Sequence, residues 1–190
     1  MHSLHGPVAF AALAVVLIIA AVTDVRTGKV YNWLTLPAMA AGLVLGMVFA
    51  ALGPAGLLGG LAASAVALVV GLVGLGLLAL AKGIGWGDAK LLGAVGALGA
   101  HWHIVANTFV YAVVVAFVMA VVLMLRKGLV RRTASRLFGA ALAAGAKVKT
   151  SFADSPRIPF AVALCIGGLV AGVELLLNVQ TPWQFFPVTP

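Results

Sequence analysis

Residues 30–81 read VYNWLTLPAMAAGLVLGMVFAALGPAGLLGGLAASAVALVVGLVGLGLLALA and contain no charged side chain. About 20 apolar residues are enough for a helix to cross a bilayer, so this run is too long for a single crossing. Gly53 and Pro54, a turn-forming pair, divide the run into two nearly equal halves. The stretch therefore predicts two membrane-spanning helices joined by a short turn.

The same pattern continues on both sides of this run. The chain of 190 residues is 64% hydrophobic and only 8% charged, which excludes a soluble domain, because such a domain needs a charged surface. The triplet at 101–103, His-Trp-His, interrupts a second long apolar run. We therefore predict one all-α, polytopic membrane domain over residues 1–190. Its six helices are expected at about 8–23, 33–52, 56–81, 88–100, 104–125 and 158–179.

The basic residues fix the expected topology. Arg26 and Lys29 follow the first helix, Lys82 and Lys90 flank the turn before the fourth, and the other eight lie within residues 126–157. With six crossings, all twelve lie on one side, which the positive-inside rule identifies as the cytoplasm. Both termini are then outside, and residues 126–157 form a cytoplasmic loop. This asymmetry accounts for the net charge of +8, so we expect membrane lipids and no nucleic acid as partners.

The fourth helix is expected to be short. Residues 91–100 alone would span only about 15 Å, roughly half of a hydrocarbon core. The helix must nevertheless cross, because otherwise the eight basic residues of the loop would lie outside. If it begins at Asp88, that carboxyl group lies at or near the membrane boundary.

Two of the four acidic residues are candidate catalytic groups. Asp24 ends the first apolar span and Asp88 follows a Gly-rich turn, so the topology places both at the cytoplasmic boundary. Two carboxyl groups held close together share one proton. The ionised group can accept a proton from water while the protonated group donates a hydrogen bond to a carbonyl oxygen. This arrangement suits hydrolysis of a peptide bond.

Other interpretations remain open from the residues alone. Asp24 and Asp88 could be ordinary interfacial charges neutralised by nearby Arg and Lys residues. A Ser-His catalytic pair is disfavoured, because the four histidines lie on the outer side and the loop serines on the cytoplasmic side. His101 and His103 have no nearby third ligand, and Cys165 is the one cysteine. We therefore expect no metal and no other cofactor.

Three segments resemble the type IV prepilin peptidases, which belong with the GxGD membrane aspartyl proteases. Residues 85–91, Gly-Trp-Gly-Asp-Ala-Lys-Leu, are similar to the GxGDxKL motif of that family. Residues 24–32 resemble its first-aspartate segment, with Tyr31 where the family usually has proline, and residues 156–164 resemble its last-helix motif. The resemblance covers residues 8–178. It implies that Asp24 and Asp88 are catalytic and that Gly85, Gly87, Lys90 and Asn32 support them.

The resemblance also implies a substrate. Such enzymes remove the leader from type IV prepilins or pseudopilins at the cytoplasmic face of the bacterial inner membrane. Many also methylate the new N-terminus, using a large insertion with CxxC motifs between the first two spans. Here that connection has about nine residues and no cysteine, so we expect peptidase activity alone, as in short members that serve Flp-type pili. The oligomeric state is not predicted.

Two alternatives accompany this expectation. An enzyme of the presenilin or signal-peptide-peptidase type, which cuts inside transmembrane segments, would carry Pro-Ala-Leu near its last helices, where this chain has Val162-Ala163-Leu164. A small transporter, or a pilus or secretion assembly subunit, could use the aspartates to carry protons or to pair with partner helices. No internal repeat supports transport.

Overall fold

The computed structural model describes residues 5–52, 54, 56–81, 85–126 and 159–177. Six α-helices account for most of them: α1 (His5–Thr27), α2 (Asn32–Ala51), α3 (Gly56–Leu80), α4 (Trp86–Gly99), α5 (Trp102–Arg126) and α6 (Phe160–Leu177). The predicted all-α class and the count of six helices are confirmed. Helix boundaries differ by a few residues, most at α1, which continues to Thr27 instead of ending at residue 23.

Five of the six helices are long and apolar enough to cross a membrane, within the described part of the chain. Their outward faces carry large apolar side chains, such as Ile18 on α1 and Phe117 on α5, which would be costly in water. Because lipid is the solvent that suits such faces, the chain is a multi-pass membrane protein. The exception is α4, which has 14 residues and a length of about 21 Å.

The chain divides into two compact units, residues 1–115 with 159–190, and residues 116–158. In the second unit the structure describes only the end of α5. The predicted cytoplasmic loop, 126–157, lies outside the described residues apart from Arg126. One domain over residues 1–190 stays a prediction.

In the first unit, α1 and α6 pack side by side in opposite directions. Gly172 lies against Phe10, and Gly168 lies against Leu17, whose side chain is fully buried. Small residues on α6 let the two helices approach closely, which is how helices commonly associate in lipid. This antiparallel pairing brings the end of α1 to the beginning of α6.

Helices α2, α3 and α4 form a second closely packed group. An added Cβ on Gly42 of α2 would lie 2.5 Å from the carbonyl carbon of Ala97, and one on Gly71 of α3 would lie 2.5 Å from the carbonyl oxygen of Leu92. Gly96 lies against Ala67 of α3 in the same way. Gly93 of α4 also lies against Met39 of α2. The order of these contacts along the chain makes α4 parallel to α2 and antiparallel to α3, which is the direction that six alternating crossings require.

Helix α4 is the most enclosed element. Every residue from 91 to 100 is buried, and the helix ends at Ala100, which adopts the left-handed conformation with φ 55°. Its neighbours cover it with protein, so its length does not have to match the thickness of the lipid. A short fourth helix is therefore compatible with a membrane fold. Its first turn lies near the end of α1 and the beginning of α2.

Candidate active site

Asp24 lies in the last turn of α1, one turn before the helix ends. Its backbone carbonyl accepts a hydrogen bond of 2.7 Å from the Gly28 N–H, and Gly28 has φ 65°. A glycine in this left-handed conformation is a common helix stop, since other residues adopt it only with strain. The expectation that Asp24 itself ends the helix is wrong by one turn. Helical residues therefore both precede and follow Asp24, and they fix the position of its backbone.

The carboxylate of Asp24 reaches the beginning of α6. The backbone N–H of Ala161 donates a hydrogen bond of 3.1 Å to Asp24 Oδ2. The first N–H groups of a helix have no acceptor within the helix, so a carboxylate at this position satisfies one of them. The first and last helices are thus joined at the level of the candidate site.

Asp88 lies in the first turn of α4. Gly85 precedes the helix with extended backbone angles, φ −74° and ψ 143°, and its carbonyl accepts a hydrogen bond of 3.1 Å from the Asp88 N–H. A Cβ added at Gly85 would stand 3.4 Å from Asp88 Oδ2. The Gly-rich segment therefore folds back over the carboxyl group.

Gly87 is the point where the α1–α2 connection touches this turn. An added Cβ would lie 2.9 Å from the Cβ of Val30, which is closer than real Cβ atoms come, and 3.1 Å from its carbonyl oxygen, which is a tight contact. Only glycine fits without movement of the connection. The contact brings the segment after Asp24 next to the segment before Asp88.

A side-chain hydrogen bond joins the same two segments. Lys90 Nζ donates to Asn32 Oδ1 over 2.8 Å, linking the first turns of α4 and α2. The sequence singled out both residues as supporting groups but did not pair them with each other. Their separation of 58 positions carries no local signal, so the pairing required the tertiary structure.

The two aspartates line one cavity of about 310 Å³. Its other walls are formed by the α1–α2 connection and by the turn before α4: Gly28, Lys29, Val30, Tyr31, Asn32, Gly85 and Gly87. Five of the six residues singled out from the sequence line this cavity. The sixth, Lys90, is hydrogen bonded to one of the five, Asn32. A cavity of this size can hold water and part of a peptide.

The environment of Asp88 favours its protonated form. Burial first, and the negative charge of Asp24 second, raise the pKa of Asp88 to about 7 against the opposing effect of a hydrogen bond from the Gly85 backbone. Asp88 precedes the apolar core of α4 and lies outside the five candidate spans. The electrostatic effect of Asp24 means that the two carboxyl groups titrate as an interacting pair.

The histidines and the glutamate that the structure describes near α5 and α6 do not line the cavity. His101 and His103 flank the beginning of α5, at the opposite end of α4 from Asp88, and the His103 ring lies 3.8 Å from that of Trp102. Within the described residues, no three His, Cys, Asp or Glu side chains are grouped as a metal would need. Glu174 is buried near the end of α6, where the Tyr111 hydroxyl lies 3.0 and 2.9 Å from its two oxygens.

The Ala161 N–H is the site contact that residue types could not reveal, because it is a backbone group. The available signal was the expected start of the last helix near residue 158, which predicts free N–H groups at that point. What no pattern indicated was that α6 begins beside the end of α1.

The sequence of this chain matches a known protein family over the region that forms the cavity. Residues 11–125, more than half of the chain, match the type IV leader peptidase family. The matched range contains both aspartates, the turn before α4 and the α1–α2 connection. No curated protein and no solved structure matches the chain. Because the family match covers most of the membrane helices and the whole cavity, the chain belongs to the type IV leader peptidase family.

Proposed function

We propose that this protein is an aspartyl endopeptidase that removes the leader from type IV or Flp-type prepilins or pseudopilins. The observation that supports this most directly is that Asp24 and Asp88 line the same cavity and influence each other electrostatically. In this proposal the two carboxyl groups activate one water molecule, and no covalent intermediate forms.

The cavity walls suit an extended peptide. Tyr31 and Gly85 both have extended backbone angles, with φ −87° and ψ 142° at Tyr31. Gly85 and Gly87 carry no side chains that would keep a substrate backbone away from Asp88. The scissile segment would lie between the α1–α2 connection and the turn before α4.

The short connection supports peptidase activity without methylation. Helix α1 ends at Thr27 and α2 begins at Asn32, so only residues 28–31 lie between them. A methyltransferase domain does not fit in that interval, and the one cysteine, Cys165, is in α6. The proposed site faces the cytoplasm of an inner membrane, since the basic residues Arg26, Lys29 and Lys90 lie beside it.

Cleavage of a purified prepilin by the reconstituted protein tests this function. Asp24→Asn and Asp88→Asn should each abolish leader removal, while Asp154→Asn, the same change at the third aspartate of the chain, should retain it. Full cleavage by both cavity variants would disprove the assignment. A parallel incubation with S-adenosylmethionine should leave the cleaved pilin unmethylated.

Two further assays separate the alternatives to a prepilin peptidase. One offers a signal-peptide remnant as the substrate, and the other measures proton flux in liposomes. Preferential cleavage of the remnant would point to a presenilin-like enzyme. Proton flux that disappears in Asp24→Asn, without any leader cleavage, would point to transport.

A further inference from the structure

Asp24 and Asp88 differ in what surrounds their carboxyl groups. We propose that the first turn of α6 is a positioning element that keeps Asp24 ionised, so that Asp24 accepts the proton of the attacking water and Asp88 donates to the scissile carbonyl. The inference rests on the proposed peptidase function for its chemistry, but the ionisation order can be measured without a substrate.

Burial disfavours the charged form of both carboxyl groups, but at Asp24 a hydrogen bond from α6 opposes this effect. The Ala161 N–H donates to Oδ2 over 3.1 Å, and Ala161 is fully buried, so this N–H has no water as an alternative acceptor, although Asp24 itself is partly exposed. The N-terminus of a helix carries a partial positive charge, which adds to the attraction. Hydrogen bonds to an ionised acceptor are about twice as strong as those to a neutral one.

The geometry at Asp88 favours a proton. Its carboxyl group lies beneath the Gly-rich turn, against the buried helix α4, and faces the charge of Asp24 across the cavity. Its position in the first turn of α4 and the Gly85 hydrogen bond both favour the anion. The pKa of about 7 indicates that burial outweighs them.

The other charged or titratable groups that the structure describes around the cavity are two lysines, one tyrosine and one arginine. Lys29 and Tyr31 line it from the α1–α2 connection, and Lys90 of α4 is engaged with Asn32. Arg26 is exposed, two residues beyond Asp24 on α1. The first five residues of α6 carry no titratable side chain. Within the described part of the chain, the Ala161 N–H is the one hydrogen-bond donor that another helix supplies to either aspartate side chain.

The resulting reaction balances in two steps. Water forms a C–O bond to the scissile carbon while Asp24 takes its proton and Asp88 gives its proton to the carbonyl oxygen. The C–N bond then breaks, the amine leaves with the proton from Asp24, and one hydroxyl of the intermediate returns a proton to Asp88. Both carboxyl groups recover their starting states.

The composition makes a direct test practical. The chain has three aspartates, so Asp154→Asn leaves two, and carboxyl-labelled aspartate then gives two resonances in a nuclear magnetic resonance titration. Asp24→Asn and Asp88→Asn assign them. We expect the Asp24 signal to be ionised at a pH where the Asp88 signal is still protonated. Ionisation of Asp88 before Asp24 would overturn the proposal.

A second measurement tests the role of α6. Replacing the Ala161 peptide N–H by an ester oxygen removes the donor without changing the side chain. The Asp24 midpoint should rise by about one pH unit, the size expected for one charged hydrogen bond. The matched control is the same replacement at Val162, whose N–H bonds to Pro159 within the turn. An equal shift in both variants would contradict the proposal, and neither outcome depends on whether prepilin is the substrate.

Discussion

Lys90 and Asn32 are hydrogen bonded over 2.8 Å, and this bond lies beside the cavity that Asp24 and Asp88 share. It joins the helix that carries Asp88 to the helix that follows Asp24. The separation of the aspartates therefore depends on contacts between segments that are far apart in the sequence.

The Lys90–Asn32 bond should behave as a coupled pair. Lys90→Met and Asn32→Leu should each lower kcat/KM by about tenfold, and the double variant should be little worse than either, because one bond is lost in all three. Lys29→Met with Asn32→Leu is the control, since Lys29 also carries a charge at the cavity. Additive losses in the first pair would show that no coupling exists.

Gly87 should tolerate no side chain. Gly87→Ala places a Cβ 2.9 Å from that of Val30, and overpacking of this kind costs about 1–3 kcal/mol, so we expect cleavage to fall by tenfold or more. Gly74→Ala on α3 is the matched control, because a Cβ added there meets no described atom within 4 Å and Gly74 does not line the cavity. Val30→Gly should restore part of the activity lost in Gly87→Ala. Equal activity of the two alanine variants would refute the contact as the cause.

Cleavage should decline as the pH rises through about 7. Since the pKa of Asp88 is raised to about 7 and the proposed reaction needs its proton, kcat/KM should fall about tenfold per pH unit above that value. The measurement is a pH profile of leader removal with a prepilin whose own titration is known. A rate that increases between pH 7 and pH 9 would be incompatible with protonated Asp88 as the donor.

Asp88 should also make stability depend on pH. Its folded pKa of about 7 lies above its ordinary value of 3.8, so the stability it contributes is full at low pH and is lost as the pH rises through about 7. Asp88→Asn removes this dependence, and its advantage in Tm over the unsubstituted protein should grow between about pH 4 and about pH 7 and stay level above that range. Buried Cys165 allows unfolding to be followed with a thiol-reactive dye. A constant difference in Tm would argue against a raised pKa.

The contact between Tyr111 and Glu174 should matter for stability and not for chemistry. Tyr111→Phe removes a hydroxyl that lies within 3.0 Å of both carboxylate oxygens of buried Glu174, which should cost about 1–3 kcal/mol of unfolding free energy. The site lies at the other end of α6 from Ala161, so kcat should be unchanged. A loss of kcat without a loss of Tm would assign this pair a role in catalysis.

The sequence by itself determined the membrane class, the six helices and the short fourth helix, because apolar length, turn residues and charge asymmetry are local properties of the chain. Resemblance to the motifs of type IV prepilin peptidases singled out Asp24, Asp88, Lys90 and Asn32. The match to the type IV leader peptidase family confirms that resemblance. Helix ends were predicted less well, as at α1, because the left-handed Gly28 that stops it leaves only a weak pattern. Tertiary structure alone decided that α6 begins beside Asp24, that Lys90 reaches Asn32 and that Gly87 rests on Val30. These contacts join residues that are distant along the chain, so they depend on how the helices pack and not on any local pattern.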